Sequence, residues 1–240
     1  MYLSRIELDS QNRNTMRALN WPVVMHGAIE RSFDDKQERK LWRVDYLHNR
    51  CYLLVLSESK PDFTGLREQF CKAEVQWETR DYQPLLDRVE AGQQYRFRLC
   101  ANPVYCAKSG KKNDLHSDRE KRGKRLAHVT LDQQAIWLID KAAQCGFSVD
   151  KGEPFTHRDA DGNESIYWTH PGFEIVHTTW KQFNKDTQDR SHKNQVTLRT
   201  ATYEGTLTVT DADVFREKLI HGIGREKAYG CGLLTIIRVQ

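Results

Sequence analysis

Apolar and polar residues alternate from Tyr2 to Leu8, the two-residue period of a strand with one face buried. From about Asn14 to Phe33 the period becomes helical and is interrupted at Pro22, which either kinks the helix or restarts it. Strand-like runs follow at Leu41 to Leu47 and Cys51 to Leu56, and His48-Asn49-Arg50 between them marks a hairpin. A weaker helical segment spans Thr64 to Cys71, and an apolar/polar stretch at Ala73 to Trp77 predicts another strand. The order is strand, helix, strand, strand, helix, strand, which is the ferredoxin-like plan.

The polar stretch from Asp81 to Gln94, with Pro84 and Gly92, is expected to be a linker, and a second pass begins at the alternating strand Tyr95 to Leu99. The pattern then predicts a helix over Asp132 to Cys145 that stops at Gly146, and strands at Ser165 to Trp168 and Phe173 to Lys181. A hairpin turned at Glu204-Gly205 is expected over Gln195 to Val209. A helix capped by Thr210 or Asp211 follows to Ile220, and a last strand spans Leu233 to Ile237. The element order repeats without visible identity between the halves. The expected class is therefore α+β, with domains over 1–88 and 94–240.

Composition narrows the class. A chain of 240 residues favours two domains. Its 38% hydrophobic and 10% aromatic residues can build cores, while 29% charged residues and a negative mean hydropathy argue against a membrane span. The opening residues enter a strand with no charged-then-apolar leader, so a cytoplasmic location is expected. Six scattered cysteines form no Cys-x-x-Cys pair, and no Cys/His set has the spacing of zinc ligands, so no metal site is expected.

Charge is modest in sum and uneven in place. Between Lys108 and Arg125 lie eight cations and three carboxylates, a local net of +5 in a chain whose total is +4. Such a concentration suits a polyanion, although most runs of this kind are solvated loops. A second basic stretch runs from Trp180 and Lys181 through Lys185 to Lys193; a basic hairpin arm and an exposed loop are equally open there. Near the end, Gly222, Gly224, Gly230 and Gly232 fall within eleven positions, with Arg225 and Lys227 between them. Exposed amides in such a loop can form a concavity for an anion, and the two cations add charge. The P-loop spacing is absent, which excludes that class of nucleotide-binding site.

Four segments carry a family resemblance. Met1-Tyr2-Leu3-Ser4-Arg5, Met25-His26, Tyr95 to Pro103 followed by Gly123-Lys124-Arg125, and the glycine-rich stretch 222–234 together resemble the CasE-type CRISPR RNA-processing endoribonucleases. The resemblance implies two tandem ferredoxin-like domains and metal-independent cleavage of precursor CRISPR RNA at the 3′ base of a hairpin, by 2′-hydroxyl attack. It also implies retention of the mature RNA, no cofactor, and assembly with the other subunits of a Cascade complex. It places the catalytic histidine at His26, whose near-neutral pKa suits proton transfer. Arg96, Arg98, Lys111, Lys112, Lys124, Arg125, Lys181 and Lys185, with Gly222, Gly224, Arg225, Lys227, Gly230 and Gly232, are the candidate RNA contacts.

The chain departs from that pattern in three places. Val23 stands where the family usually has a tyrosine, Cys100 where an arginine precedes Ala-Asn-Pro, and Arg225 where the loop usually has proline. Tyr2, Ser4 and Lys227 are the candidate replacements for the missing tyrosine. Two other readings stay open: an RNA-hairpin-binding subunit with weak or lost chemistry, and a ferredoxin-like protein whose basic loop meets another polyanion.

Overall fold

The computed structural model describes residues 1–35, 37–107, 125–158, 162, 164–169, 171–184 and 195–239. In chain order the elements are β1 (Tyr2–Leu8), α1 (Arg13–Asn20), α2 (Pro22–Arg31), β2 (Leu41–Leu47), β3 (Arg50–Ser57), α3 (Thr64–Phe70), β4 (Glu78–Asp81) and α4 (Gln83–Leu86). There follow β5 (Gln94–Ala101), β6 (Val104–Cys106), β7 (Arg125–Ala127), α5 (Leu131–Gln144), β8 (Phe147–Val149), β9 (Glu153–Arg158) and β10 (Glu164–Thr169). The last are β11 (Phe173–Asn184), β12 (Gln195–Val209), α6 (Ala212–His221), a 3-10 turn (Lys227–Tyr229) and β13 (Leu234–Arg238).

The first sheet has the antiparallel order β2-β3-β1-β4, the ferredoxin-like arrangement. Its centre is β1, which sends Ser4, Ile6 and Leu8 inward, as the alternation requires. Leu47 pairs with Arg50, and His48 and Asn49 both take positive φ, so a two-residue primed turn joins β2 to β3. Pro22 restarts the helix: α1 closes when the Trp21 amide bonds to the Arg17 carbonyl, and Pro22 opens α2 where a missing N–H costs nothing.

The fourth strand lies later than the pattern predicts. Residues 73–77 form no strand; Val75 and Trp77 pack sideways on the core, with Trp77 edge-on to Phe63 at 6.1 Å. The strand is instead the polar run Glu-Thr-Arg-Asp of β4, which pairs with β1 along the sheet edge and so carries no hydrophobic period. The expected linker is also built into the core, since Tyr82, Leu86 and Val89 are buried.

The second sheet repeats the order as β11-β12-β5-β13, with β8 pairing the end of β12. The expected hairpin at Glu204-Gly205 does not turn; β12 runs straight through, and the hairpin is formed by β11 and β12. Gly205 is there for proximity, because a Cβ would lie 2.4 Å from the Gly172 carbonyl oxygen and 2.5 Å from the Phe173 Cα. A Thr130/Gln133 capping box starts α5, and Asp211 caps α6 by accepting from the amides of Asp213 and Val214.

The two sheets meet along β2. Leu41 and Leu56 belong to the same apolar cluster as Phe97, Leu99, Leu233 and Leu234. Beside it, buried Arg43 donates to both Asp45 carboxylate oxygens at 2.7 Å, to the Arg98 and Leu233 carbonyls at 2.8 Å, and to Thr235 Oγ1 at 2.8 Å. One guanidinium thus ties the edge of the first sheet to two strands of the second.

Candidate functional site

The glycine-rich loop is the piece that joins the halves at the proposed site. Gly230 lies against Trp42 of β2, where a Cβ would come within 2.9 Å of the ring, and Gly222 lies as close to Leu41. All four loop glycines have positive φ. Three of their amides are taken up within the protein rather than turned toward an anion. Gly222 donates to the Lys218 carbonyl, Gly230 to that of Lys227 and Gly232 to that of Cys100, so these glycines serve close packing.

The 3-10 turn inside the loop rests on α2. A small cluster of Phe183, Leu198, Tyr229 and Cys231 fills the joint, and Val23 and Cys100 pack against it. Phe183 meets Tyr229 edge-on at 4.9 Å. Two departures from the family pattern therefore have an apolar role here: Val23 holds α2 onto the loop, and Cys100 sits beneath it as a free thiol hydrogen-bonded to that of Cys231.

Three residues along α2 from Val23, His26 stands half-exposed. Its Nδ1 faces Glu30 Oε1 at 3.8 Å, one helical turn on. Burial holds the imidazole pKa below its ordinary value; Glu30 pushes it up and Lys40 pushes it down. The neutral ring, able to accept a proton, is therefore favoured at neutral pH.

The three candidate partners for His26 separate clearly. Ser4 is fully buried and hydrogen-bonded to Thr79 Oγ1 at 2.9 Å, which removes it from consideration. Tyr2 lies under the Lys60 ammonium at 5.3 Å, at the start of β1. Lys227 sits on the turn that touches α2, and burial, with Arg39 and Lys218 nearby, holds its ammonium pKa below the usual lysine range.

Lys227 also opens onto a cavity of about 580 Å³ between the loop, the ends of α5 and α6, and β6–β7. Arg125, Lys141, Lys218, Arg225 and Lys227 line it, and among the described residues no carboxylate does. Lys141 and Lys218 were missed by sequence reasoning. The available signal was that each falls in the last turn of a helix that ends beside the glycine loop.

Other predicted contacts are occupied within the protein. Arg98 lies 3.1 Å from Asp45 and 2.6 Å from Glu204, so it belongs to the interior ion-pair group around Arg43. Lys181 donates to the Leu19 carbonyl at 2.7 Å and ties β11 to the end of α1. Arg96, on the same face of β5 as Arg98, is exposed. Lys111, Lys112, Lys124 and Lys185 lie outside the described residues. Among the described residues no cluster of His, Cys, Asp or Glu is arranged to hold a metal.

A profile of the CRISPR associated protein family matches residues 1–238. The chain belongs to that family. It is 25% identical over 242 residues to the CRISPR-associated endoribonuclease Cse3 of Thermus thermophilus, covering 98% of this chain and 99% of that one. A solved structure of Cse3 bound to a 19 nt RNA superposes with a TM-score of 0.72 at 24% identity, covering 99% of this chain and all of that one. Cas6e from Escherichia coli K-12 gives a TM-score of 0.59 at 21% identity, with both chains fully covered. These two likenesses bear on the fold, and in both family structures it is the tandem ferredoxin-like arrangement that this chain shares. Among the described residues no helix is long and apolar enough to cross a membrane.

Proposed function

We propose that this protein is an endoribonuclease that binds the hairpin of a CRISPR repeat, cuts the precursor at the 3′ base of the stem, and keeps the product. The observation that carries the reading is His26, half-exposed on a helix held by the glycine loop, with a cavity lined by five described cations opening from the same loop. Neutral His26 takes the 2′-hydroxyl proton as the O2′–P bond forms and the P–O5′ bond breaks; the departing 5′-oxygen takes a proton from water, leaving a 2′,3′-cyclic phosphate and a 5′-hydroxyl. Cations at the loop, Lys227 first among them, offset the charge on the phosphorane. A base of this kind contributes about 10²–10⁴ in rate. No metal is required by this scheme.

The first unit, 1–88, carries the histidine, and the second, 94–240, carries the loop and the cavity. Arg125, Arg225 and Lys227, joined by Lys141 and Lys218, follow the RNA phosphates, with Arg96 as a separate exposed contact. Relatives named for Cascade-type surveillance complexes support assembly with other Cascade subunits around the bound RNA, in the cytoplasm. A second reading has a specific observation behind it: Val23 puts a packed methyl group where the family has a tyrosine hydroxyl, so the protein can be an RNA-holding subunit with slow chemistry.

Single-turnover cleavage of a hairpin RNA from an adjacent CRISPR repeat, with EDTA present, decides between them. Wild type is expected to cut, and His26→Ala to bind equally well while losing at least a hundredfold in rate, the low end of that range. Tight binding without cleavage by either protein would establish the second reading.

A further inference from the structure

The half-exposed imidazole of His26 does not stand alone on α2. Glu30 follows it by four residues, so both side chains lie on one face of the helix. Glu30 is bifunctional in the literal sense: Oε1 faces His26 Nδ1 at 3.8 Å, and Oε2 accepts from Lys40 Nζ at 3.1 Å. Lys40 is the unusual member, because its side chain is only 1% exposed. A lysine ammonium is almost never buried unless it is fully paired. Here it donates to Glu30 and to the Asp35 carbonyl at 2.8 Å, and lies over the Phe33 ring at 5.1 Å. The return from α2 to β2 thus delivers a fixed positive charge behind the carboxylate that faces the histidine.

We propose that Glu30 is a positioning residue for His26, and that buried Lys40 limits how much of the Glu30 charge reaches the imidazole. This rests on the reading of His26 as the proton-transfer residue. The carboxylate faces Nδ1 at ion-pair range, which leaves Nε2 as the ring nitrogen turned away from it and available to RNA. Without Lys40, the Glu30 charge would oppose burial more strongly and raise the share of imidazolium; with Lys40, orientation is kept and burial's preference for the neutral ring is less opposed. Other charged groups on or against α2 point elsewhere. Arg17 of α1 covers the Trp21 ring, Arg67 of α3 covers Trp77, and Lys227 lines the basic cavity. Arg13 and Glu68 are exposed and Glu226 holds the N-cap position of the 3-10 turn; the exception is Arg31, whose Nη1 lies along α2, 3.5 Å from where a Gly27 Cβ would be. Of these groups, Glu30 raises the His26 pKa and Lys40 lowers it, each by less than burial does.

Opposite signs make the test sharp. The His26 ring is titrated by NMR in the free protein, its resonances assigned by their loss in His26→Ala. Glu30→Gln should move the midpoint to lower pH and Lys40→Met to higher pH, and the double variant should fall between them. In single-turnover cleavage of the repeat hairpin, the pH–rate profiles should shift the same ways, with Kd for that RNA unchanged in Glu30→Gln. A midpoint unmoved in folded Glu30→Gln, or shifts of the same sign in both variants, would overturn the proposal. Should Lys40→Met fail to fold by circular dichroism, the Glu30→Gln midpoint decides alone. Wild-type protein that binds but does not cut would instead remove the catalytic reading, while the NMR midpoints still decide whether Glu30 and Lys40 govern the ring.

Discussion

Arg43 and His26 show how differently two polar residues in one half of a protein can be used. Arg43 is buried and engages a carboxylate, two carbonyls and a hydroxyl across the joint between the sheets. Removing one partner of such a group leaves the rest without compensation, which costs about 3–5 kcal/mol. Arg43→Met is therefore expected to lower unfolding free energy by about that amount in urea denaturation, and Arg43→Lys to restore only part of it, since an ammonium cannot reproduce the fork. For His26 the expectation is kinetic. Burial lowers its pKa from 6.5, so the neutral base persists to lower pH than in a free imidazole, and the rate should rise with pH through an inflection below 6.5. An inflection above that value would mean that Glu30 outweighs burial. At this scale the sequence was informative about His26 only through its family motif, because a histidine on a helix has no distinguishing pattern of its own. The internal partners of Arg98 and Lys181 were not legible for a related reason: a cation on a strand reads the same whether it faces solvent or, as here, Asp45 and the Leu19 carbonyl.

The glycine loop is the element on which the site depends, and its glycines are not equivalent. At Gly230, φ is +82° and a Cβ would meet the Trp42 ring at 2.9 Å; at Gly224, φ is +79° but the nearest atoms are the Trp137 ring at 3.4 Å. An alanine at either position carries the left-handed penalty of about 1–2 kcal/mol. Only at 230 must the loop also move off β2. Gly230→Ala should thus lower the melting temperature more than Gly224→Ala and slow cleavage as well, because the same loop seats α2. Equal effects in both assays would show that the contact with Trp42 is dispensable. The elements legible in the sequence were those with a period or a cap: β1, the β2–β3 hairpin, α5 with its Thr130/Gln133 box, and α6 with Asp211. Those that were missed lack such a signal. The edge strand β4 is all polar, and the 73–77 segment is apolar because it packs as a loop. At Gly205 a glycine needed for strand proximity imitated a turn.

The charge of the whole molecule is small, so its grip on a polyanion must come from placement. The described cations at the cavity come from four parts of the chain, β7, α5, α6 and the loop, and only the fold brings them together, with no carboxylate among the described residues beside them. That is why composition could point to a polyanion and still miss Lys141 and Lys218. Each phosphate that such a cluster neutralises releases counterions and contributes about 0.7–0.9 to the slope of log K against log salt. Lys141→Ala with Lys218→Ala should therefore weaken binding of the repeat hairpin and flatten that slope by about 1.4–1.8, if each lysine meets one phosphate. Arg80→Ala is the control, since Arg80 is equally cationic but 83% exposed on the opposite edge strand β4, away from the cavity. A slope that responds to Arg80 as much as to the two lysines would mean that RNA senses only net charge. A slope that responds to the lysines alone would place a phosphate path between the helix ends and the glycine loop, leading toward His26.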